Sequence, residues 1–159
     1  MQTDAVLSHC GHYRYALSRK WATGPAILFV MLNPSTANAT VDDPTIGRCI
    51  SFAKAWGYGS LTVGNLFAYR TPSPEVLKTV ADPVGPDNDR WLDQLSRDAD
   101  LTVAAWGNHG TFRNRGFEVA TRLRNPHCLR VTARGQPSHP LYVRGDCPLT
   151  PWALAPARQ

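Results

Sequence analysis

The sequence lacks the cysteine and histidine spacings of structural zinc sites and of redox motifs. Its four cysteines form no CxxC pair and stand at Cys10, Cys49, Cys128 and Cys147. The cluster His9-Cys10-Gly11-His12 could bind a metal ion, but no second ligand pair follows at finger spacing. A frayed N-terminal segment is therefore the favoured interpretation, and no metal is predicted. Unpaired cysteines are typical of a reducing cytoplasm, where we expect the protein to reside.

Long apolar stretches and blocks of like charge are also missing. No run approaches the ~20 apolar residues of a membrane-spanning helix, and the polar start Gln2-Thr3-Asp4 is unlike a signal peptide. We therefore expect no membrane partner. The formal net charge is +5 over 159 residues, without a lysine-arginine block. This charge permits weak nucleic acid binding but does not require it, and it leaves the oligomeric state open.

Apolar runs alternate with amphipathic segments along the chain. The segments predicted as central strands are Ala26–Leu32, Ser60–Phe67, Leu101–Trp106 and His127–Val131. A helix over Pro44–Trp56 carries apolar side chains at three- and four-residue steps. The alternation predicts a three-layer α/β/α fold with a mainly parallel four-stranded central sheet. The segment His12–Arg19, in which Tyr13, Tyr15 and Leu17 lie on one side, predicts an additional N-terminal edge strand or hairpin. We expect one domain over residues 1–159, with loosely ordered tails at 1–10 and 148–159.

Polar side chains follow the ends of the predicted strands. Asn33-Pro34 stops the first of them, because proline has no N–H to donate to a neighbouring strand. The carboxyl ends of strands in an open α/β sheet meet at one edge and form a ligand crevice. Asn33 and His139 are the candidate catalytic residues. The candidate substrate-binding residues are Pro34, Ser35, Thr36, Asn65, Phe67, Trp106, Gly107, Asn108 and His109.

Phe67 and Trp106 have two interpretations, since either ring could stack on a base or belong to the core. Two acidic clusters are equally ambiguous. Asp42 and Asp43 precede one predicted helix, and Asp87 and Asn88 stand at the start of another, predicted from about residue 87 to 98. Capping of the helix N-termini is the favoured role, and binding of a ligand hydroxyl is the alternative.

The sequence lacks the G-x-G-x-x-G and Walker phosphate loops and the G-x-S-x-G nucleophile elbow. The candidate site offers amides, hydroxyls and an imidazole instead. An asparagine carbonyl can orient a water molecule, and an asparagine amide can bind the carbonyl and N–H edge of a base. A histidine can donate a hydrogen bond to a developing oxyanion. These groups suit recognition of a base and polarisation of a leaving group better than covalent attack.

Seven segments form a pattern shared with a known family. They are Tyr13-Arg14-Tyr15-x-Leu17, Met31-Leu32-Asn33-Pro34-Ser35-Thr36-Ala37, Asp42-Asp43-Pro44-Thr45-Ile46, Asn65-Leu66-Phe67, Pro83-Val84-Gly85-Pro86-Asp87-Asn88-Asp89, Ala105-Trp106-Gly107 and His139-Pro140-Leu141-Tyr142. Together they resemble the domain of unknown function family 1643 over nearly the whole chain. This resemblance implies no settled activity.

The order of these parts also resembles, more distantly, the uracil-DNA glycosylase superfamily. Asn33-Pro34 is similar to the end of its Gly-x-Asp/Asn-Pro motif, although Met31 stands where glycine is usual. The resemblance implies that Asn33 positions the attacking water and that Asn65 reads the base. It also implies that the histidine of His139-Pro140 assists the departing base, and Trp106-Gly107 matches the end of a third strand.

Two functional hypotheses follow. The first is an N-glycosidase that releases a base from a nucleoside, a nucleotide or nucleic acid. The second is a non-catalytic protein that binds a nucleotide or a modified base in the same pocket. In both, the expected partner is a nucleobase-containing small molecule or a single extruded base, and no cofactor is predicted.

Overall fold

The computed structural model describes residues 1–153. Within them, seven strands form one sheet and four α-helices pack against it. The strands are β1 (Gln2–Leu7), β2 (Arg14–Lys20), β3 (Ala26–Met31), β4 (Ser60–Asn65), β5 (Leu101–Ala104), β6 (His127–Cys128) and β7 (Thr150–Pro151). The helices are α1 (Pro44–Ala55), α2 (Pro74–Leu77), α3 (Asn88–Asp98) and α4 (Arg115–Ala120). None of these helices combines the length and the apolar character needed to cross a membrane.

The sheet has a parallel centre and antiparallel edges. Its strand order is β1-β2-β4-β3-β5-β6-β7. Three pairings are parallel, namely β3 with β4, β3 with β5 and β5 with β6, and three are antiparallel. The predicted α/β class is confirmed, and the runs at 26–32 and 101–106 are neighbours through β3 and β5. The four predicted central strands form this parallel centre as β4-β3-β5-β6, but the sheet is larger than predicted, since seven strands pair and half of the pairings are antiparallel.

Of the three strands beyond these four, β2 is the predicted N-terminal strand, whereas β1 and β7 come from segments predicted as tails. Residues 2–7 pair with β2, from Gln2 opposite Lys20 to Ala5 opposite Leu17, and Thr150–Pro151 pairs with β6. As a result β2 lies between β1 and β4 rather than at the sheet edge. These outer segments carry no regular apolar pattern, so backbone pairing to a neighbour, not side-chain periodicity, makes them strands. The last part of the predicted C-terminal tail, residues 154–159, lies outside the described residues.

β3 separates two apolar clusters, one on each face of the sheet. Successive residues of a strand point to opposite faces. Phe29 therefore packs in one cluster with Ile46 of α1, whereas Val30 packs in the other with Leu92 of α3 and Val119 of α4. Helices cover both faces of the parallel centre, which leaves the carboxyl edge of the sheet as the place where loops can surround a ligand.

Helix α1 begins beside that edge. The Asp43 side chain accepts a hydrogen bond from the Ile46 N–H at 2.9 Å, and Pro44 takes the first helical position. After the helix, Gly57 adopts φ +84°, a left-handed conformation that glycine reaches at little cost. The predicted start of this helix is confirmed, and the capping role of Asp43 fixes the loop that precedes it.

Candidate ligand-binding site

A cavity of about 510 Å³ opens at the carboxyl ends of the central parallel strands. Asn33 follows β3, Asn65 ends β4, and Trp106-Gly107 follows β5. The strand order reverses at this point, because the next strands along the chain, β4 and β5, lie on opposite sides of β3. Such a reversal parts the loops and leaves a crevice between them. The volume lies in the range of small-molecule sites, about 300–1,000 Å³.

The cavity collects residues from distant parts of the chain. The predicted site residues that line it are Asn33, Ser35, Asp43, Asn65, Trp106, Gly107, Asn108, His109 and His139. The predicted residues that do not line it are Pro34, Thr36, Asp42, Phe67, Asp87 and Asn88. The three residues with the most specific expected roles, Asn33, Asn65 and His139, therefore share one cavity.

The amide of Asn33 has a fixed orientation. Its Nδ2 donates to the carbonyl oxygens of Pro34 at 3.1 Å, Tyr69 at 3.4 Å and Thr71 at 2.8 Å. Only an NH2 group can face three carbonyl oxygens, so the two amide ends cannot exchange places. The Oδ1 atom makes no hydrogen bond within residues 1–153 and remains as an acceptor. Asn33 is therefore built to accept a hydrogen bond in the cavity.

Asn65 presents the opposite polarity. The residue is 1% exposed, and its Nδ2 has no hydrogen-bond partner in the described part of the chain. Its backbone carbonyl is held in place by Nδ2 of the buried Asn88 at 2.9 Å. A buried amide donor without a partner costs about 1–3 kcal/mol. Because Asn65 lines the cavity, a ligand acceptor that reaches this amide can remove the cost.

His139 stands immediately before a short 3-10 segment, Pro140–Tyr142. Its Nδ1 accepts the Leu141 N–H at 3.2 Å, so the neutral ring carries its proton on Nε2. Burial lowers the pKa of His139, and the negative charge of Asp43 opposes that shift. The imidazole is thus neutral at pH 7 and offers an Nε2–H donor.

The loop that carries His139 is tied to helix α1 by Arg48. The Arg48 guanidinium donates from Nε to the Pro140 carbonyl at 3.3 Å and from Nη2 to the Val143 carbonyl. Two bonds from one planar group hold this turn in place against the helix. Arg48 does not line the cavity, and it acts on the site only through the position of the His139 loop.

The two aromatic candidates belong to the core. Trp106 is 1% exposed, and its Nε1 donates to Oε1 of Gln136 at 3.0 Å. A side chain added at Gly110 would collide with the indole ring, so that ring is closely packed. Phe67 is fully buried and packs against Phe112 with ring centroids 5.6 Å apart. Neither ring offers a free face for stacking on a base.

The acidic clusters mainly organise the structure. Both oxygens of Asp43 accept backbone N–H groups, from Ile46 at 2.9 Å and from Ala37 at 3.3 Å. Asp42 forms an ion pair with Arg19 at 2.8 Å. Of the second cluster, Asp87 lies 3.7 Å from Arg90 at the surface, and Asn88 is buried against the end of β4.

Among the cavity residues that are absent from the sequence-based prediction, Arg14 and Tyr142 are the most informative. Arg14 lies in β2 and lines the cavity although it is only 2% exposed. Tyr142 lies at the rim, 84% exposed, with its ring centroid 5.6 Å from that of His139. The signal for Arg14 is a charged residue inside the otherwise aromatic and apolar Tyr13–Leu17 stretch. The signal for Tyr142 is its position just after His139-Pro140.

No group of three or more histidine, cysteine, aspartate or glutamate side chains within residues 1–153 lies in a position to hold a metal ion. Fold and cavity define an α/β protein with a ligand-sized site at the carboxyl edge of its sheet. The chain belongs to the family described as "Protein of unknown function (DUF1643)", which matches residues 14–141. The resemblance to that family is thus confirmed. No curated protein and no solved structure matches the chain, and the resemblance to the uracil-DNA glycosylase superfamily is not supported by any match.

Proposed function

We propose that the protein is an N-glycosidase of the uracil-DNA glycosylase type that releases a base from a nucleoside, a nucleotide or nucleic acid. The observation that carries this proposal is the convergence of Asn33, Asn65 and His139 on one cavity. Each contributes a different oriented group: an amide oxygen, a buried amide N–H without a partner, and an imidazole Nε2–H. The amide oxygen suits a water molecule, the amide N–H suits the edge of a base, and the imidazole N–H suits a departing base. The parallel centre with helices on both faces supports the corresponding fold type.

In the proposed reaction, Oδ1 of Asn33 accepts a hydrogen bond from water and directs its oxygen at the anomeric carbon of the sugar. The C–O bond forms as the C–N bond to the base breaks, and the electron pair of that bond moves onto the base. His139 Nε2–H donates to the base oxygen on which the negative charge develops. The water gives up one proton to solvent, and the base takes one up as it leaves. Asn65 Nδ2 holds a base carbonyl throughout.

A non-catalytic binding protein is the second candidate, and one observation favours it. No carboxylate that lines the cavity is free to act as a general base, because both oxygens of Asp43 already accept backbone N–H groups. Asn33 is an amide and cannot take a proton from water at neutral pH. In this case the same three side chains bind a nucleotide or a modified base and no bond is cleaved.

Base release separates the two candidates. Wild-type protein is incubated with nucleosides, nucleotides and uracil-containing DNA, and free base is measured by chromatography beside calorimetric binding. An enzyme releases base, and His139→Ala raises its barrier by about 2–4 kcal/mol with a smaller change in affinity. His127→Ala is the matched control, since His127 lies on β6 and does not line the cavity.

Saturable binding without base release supports the non-catalytic candidate, and His139→Ala then lowers affinity alone. Binding to duplex DNA should be weak and steeply reduced by salt, because the basic residues form no block along the chain. If none of these compounds binds, both candidates are wrong. If base is released equally by wild type and His139→Ala, the role given to His139 is wrong.

A further inference from the structure

Arg14 is a charged side chain in an unusual place. It is 2% exposed within β2, yet it belongs to the wall of the cavity beside Asn33 and Asn65. Moving a charged group out of water costs several kcal/mol unless an opposite charge and hydrogen bonds compensate for it. The hydrogen-bond inventory of Arg14 therefore shows whether the protein itself provides this compensation.

The protein satisfies only part of the hydrogen-bonding capacity of Arg14. A guanidinium has five N–H donors. Within residues 1–153, Arg14 makes one side-chain hydrogen bond, from Nη1 to the Ala37 carbonyl at 2.8 Å. Its Nε is buried and has no partner, and no carboxylate oxygen of the described chain lies within 4.0 Å of the guanidinium. Most of the donor capacity of Arg14 is unused.

The other two buried arginines provide an internal comparison. Arg19, on the same strand and 1% exposed, pairs with Asp42 at 2.8 Å. Arg115, 2% exposed, pairs with Asp89 at 2.6 Å and makes further hydrogen bonds. The fold therefore neutralises a buried arginine with a carboxylate in both other cases. Arg14 differs from them in facing a cavity, where a ligand can supply the missing charge.

The charges around Arg14 do not remove this imbalance. The pKa of Arg14 is lowered to about 10, mainly because the guanidinium is buried; Asp43 opposes this shift, and the positive charges of Arg70 and Arg19 add to it. The guanidinium is still protonated at neutral pH. Asp43 is the one carboxylate with a favourable effect, and both of its oxygens are occupied by backbone N–H groups.

We propose that Arg14 binds an anionic oxygen group of the ligand, a phosphate or a carboxylate, in this cavity. A phosphate or carboxylate offers the two parallel acceptors that a guanidinium binds best. The identification of the ligand as a nucleotide, and not a nucleoside or a free base, rests on the proposed function. The binding of an anionic group by Arg14 does not depend on bond cleavage.

The binding test compares each nucleoside 5′-monophosphate with its nucleoside by calorimetry, on wild type and on Arg14→Met. Wild type should bind the monophosphate about 10- to 100-fold more tightly, the range of a hydrogen-bonded charge pair. Arg14→Met should abolish that difference, because the monophosphate then loses the charge pair that the nucleoside does not make. Thermal melting in inorganic phosphate or in succinate, each compared with chloride at equal ionic strength, distinguishes a phosphate ligand from a carboxylate ligand.

Stability supplies a second readout. Arg14→Met should melt at or above the wild-type temperature, because it removes a buried charge that no carboxylate compensates. Arg115→Met, the matched control, should melt lower because it breaks a buried ion pair. The proposal is overturned if Arg14→Met loses as much stability as Arg115→Met. It is also overturned if each of these ligands, phosphate, succinate and the monophosphates, has the same effect on Arg14→Met as on wild type. If phosphate or succinate raises the melting temperature only when Arg14 is present, and no nucleotide binds, the anion site is supported and the nucleobase function is wrong.

Discussion

Asn65→Leu changes a buried amide that has no partner into an apolar side chain of similar shape. In the ligand-free protein Asn65 carries a buried Nδ2 without an acceptor, and removal of such a donor recovers part of its desolvation cost of about 1–3 kcal/mol. Some packing is lost where the leucine methyl groups meet the polar cavity wall. We therefore expect the free energy of unfolding to rise by about 1 kcal/mol, which for a chain of this length raises the melting temperature by roughly 2–4 °C.

Asn88→Leu is the matched control, because the two asparagines touch and differ in their hydrogen bonds. Nδ2 of Asn88 donates to the carbonyls of Asn65 at 2.9 Å and Leu66 at 3.0 Å. The Leu66 carbonyl keeps a second donor from Arg115 at 2.9 Å, but the Asn65 carbonyl loses its side-chain partner. We expect Asn88→Leu to lower the free energy of unfolding by about 2 kcal/mol.

Urea denaturation followed by tryptophan fluorescence measures both variants without ligand, and calorimetry measures what they bind. The expected result is a change of opposite sign in stability, with loss of ligand affinity in Asn65→Leu. If Asn65→Leu is destabilised as much as Asn88→Leu, then the Asn65 amide stabilises the fold, and its Nδ2 is not reserved for a ligand.

Two further predictions concern the other polar groups. Asn33→Asp places a carboxylate against three carbonyl oxygens, so it should lower stability by about 2 kcal/mol or more at neutral pH and by less in acid, as thermal melts at both pH values will show. An equally stable Asn33→Asp would contradict the assigned amide orientation. Burial lowers the pKa of His139, so the unfolded chain binds a proton at higher pH than the folded one. Stability should therefore fall as pH drops below about 6.5, until the lower folded pKa is reached, and His139→Gln should lack this component in urea titrations.

The central strands and the loop after β3 could be predicted because their signals are local. Ala26 to Leu32 is continuously apolar, and Asn33-Pro34 ends it by backbone chemistry alone. The outer strands have no such signal. Gln2–Leu7 is polar and apolar in mixture, and its conformation is set by its partner β2 through backbone hydrogen bonds. Local sequence patterns cannot identify a strand that forms because a distant segment of the chain pairs with it.

The same reason explains why Arg14 was missed. An alternating stretch at a sheet edge exposes every second side chain, and on that basis Arg14 faces solvent. In the structure β1 covers the outer edge of β2, and the Arg14 N–H donates to the Ala68 carbonyl at 2.9 Å, beyond the end of β4. The guanidinium is thereby placed under the carboxyl edge of the sheet. This position depends on strand order, which residue spacing along one strand does not contain.

The side chains that are fixed around the cavity restrict what it can bind. Arg14, Asn65 and His139 present N–H donors without protein partners, whereas Asn33 presents a single oriented acceptor. A ligand that satisfies them must carry more acceptors than donors, and at least one acceptor must be anionic to balance Arg14. Under the proposed function, oxygen-bearing bases linked to a phosphate meet both conditions, because their carbonyls can accept from Asn65 and His139 and their phosphate can accept from the guanidinium. A neutral nucleoside satisfies the amides and leaves the buried charge uncompensated, so comparison of these two ligand classes is the sharpest chemical test of the site.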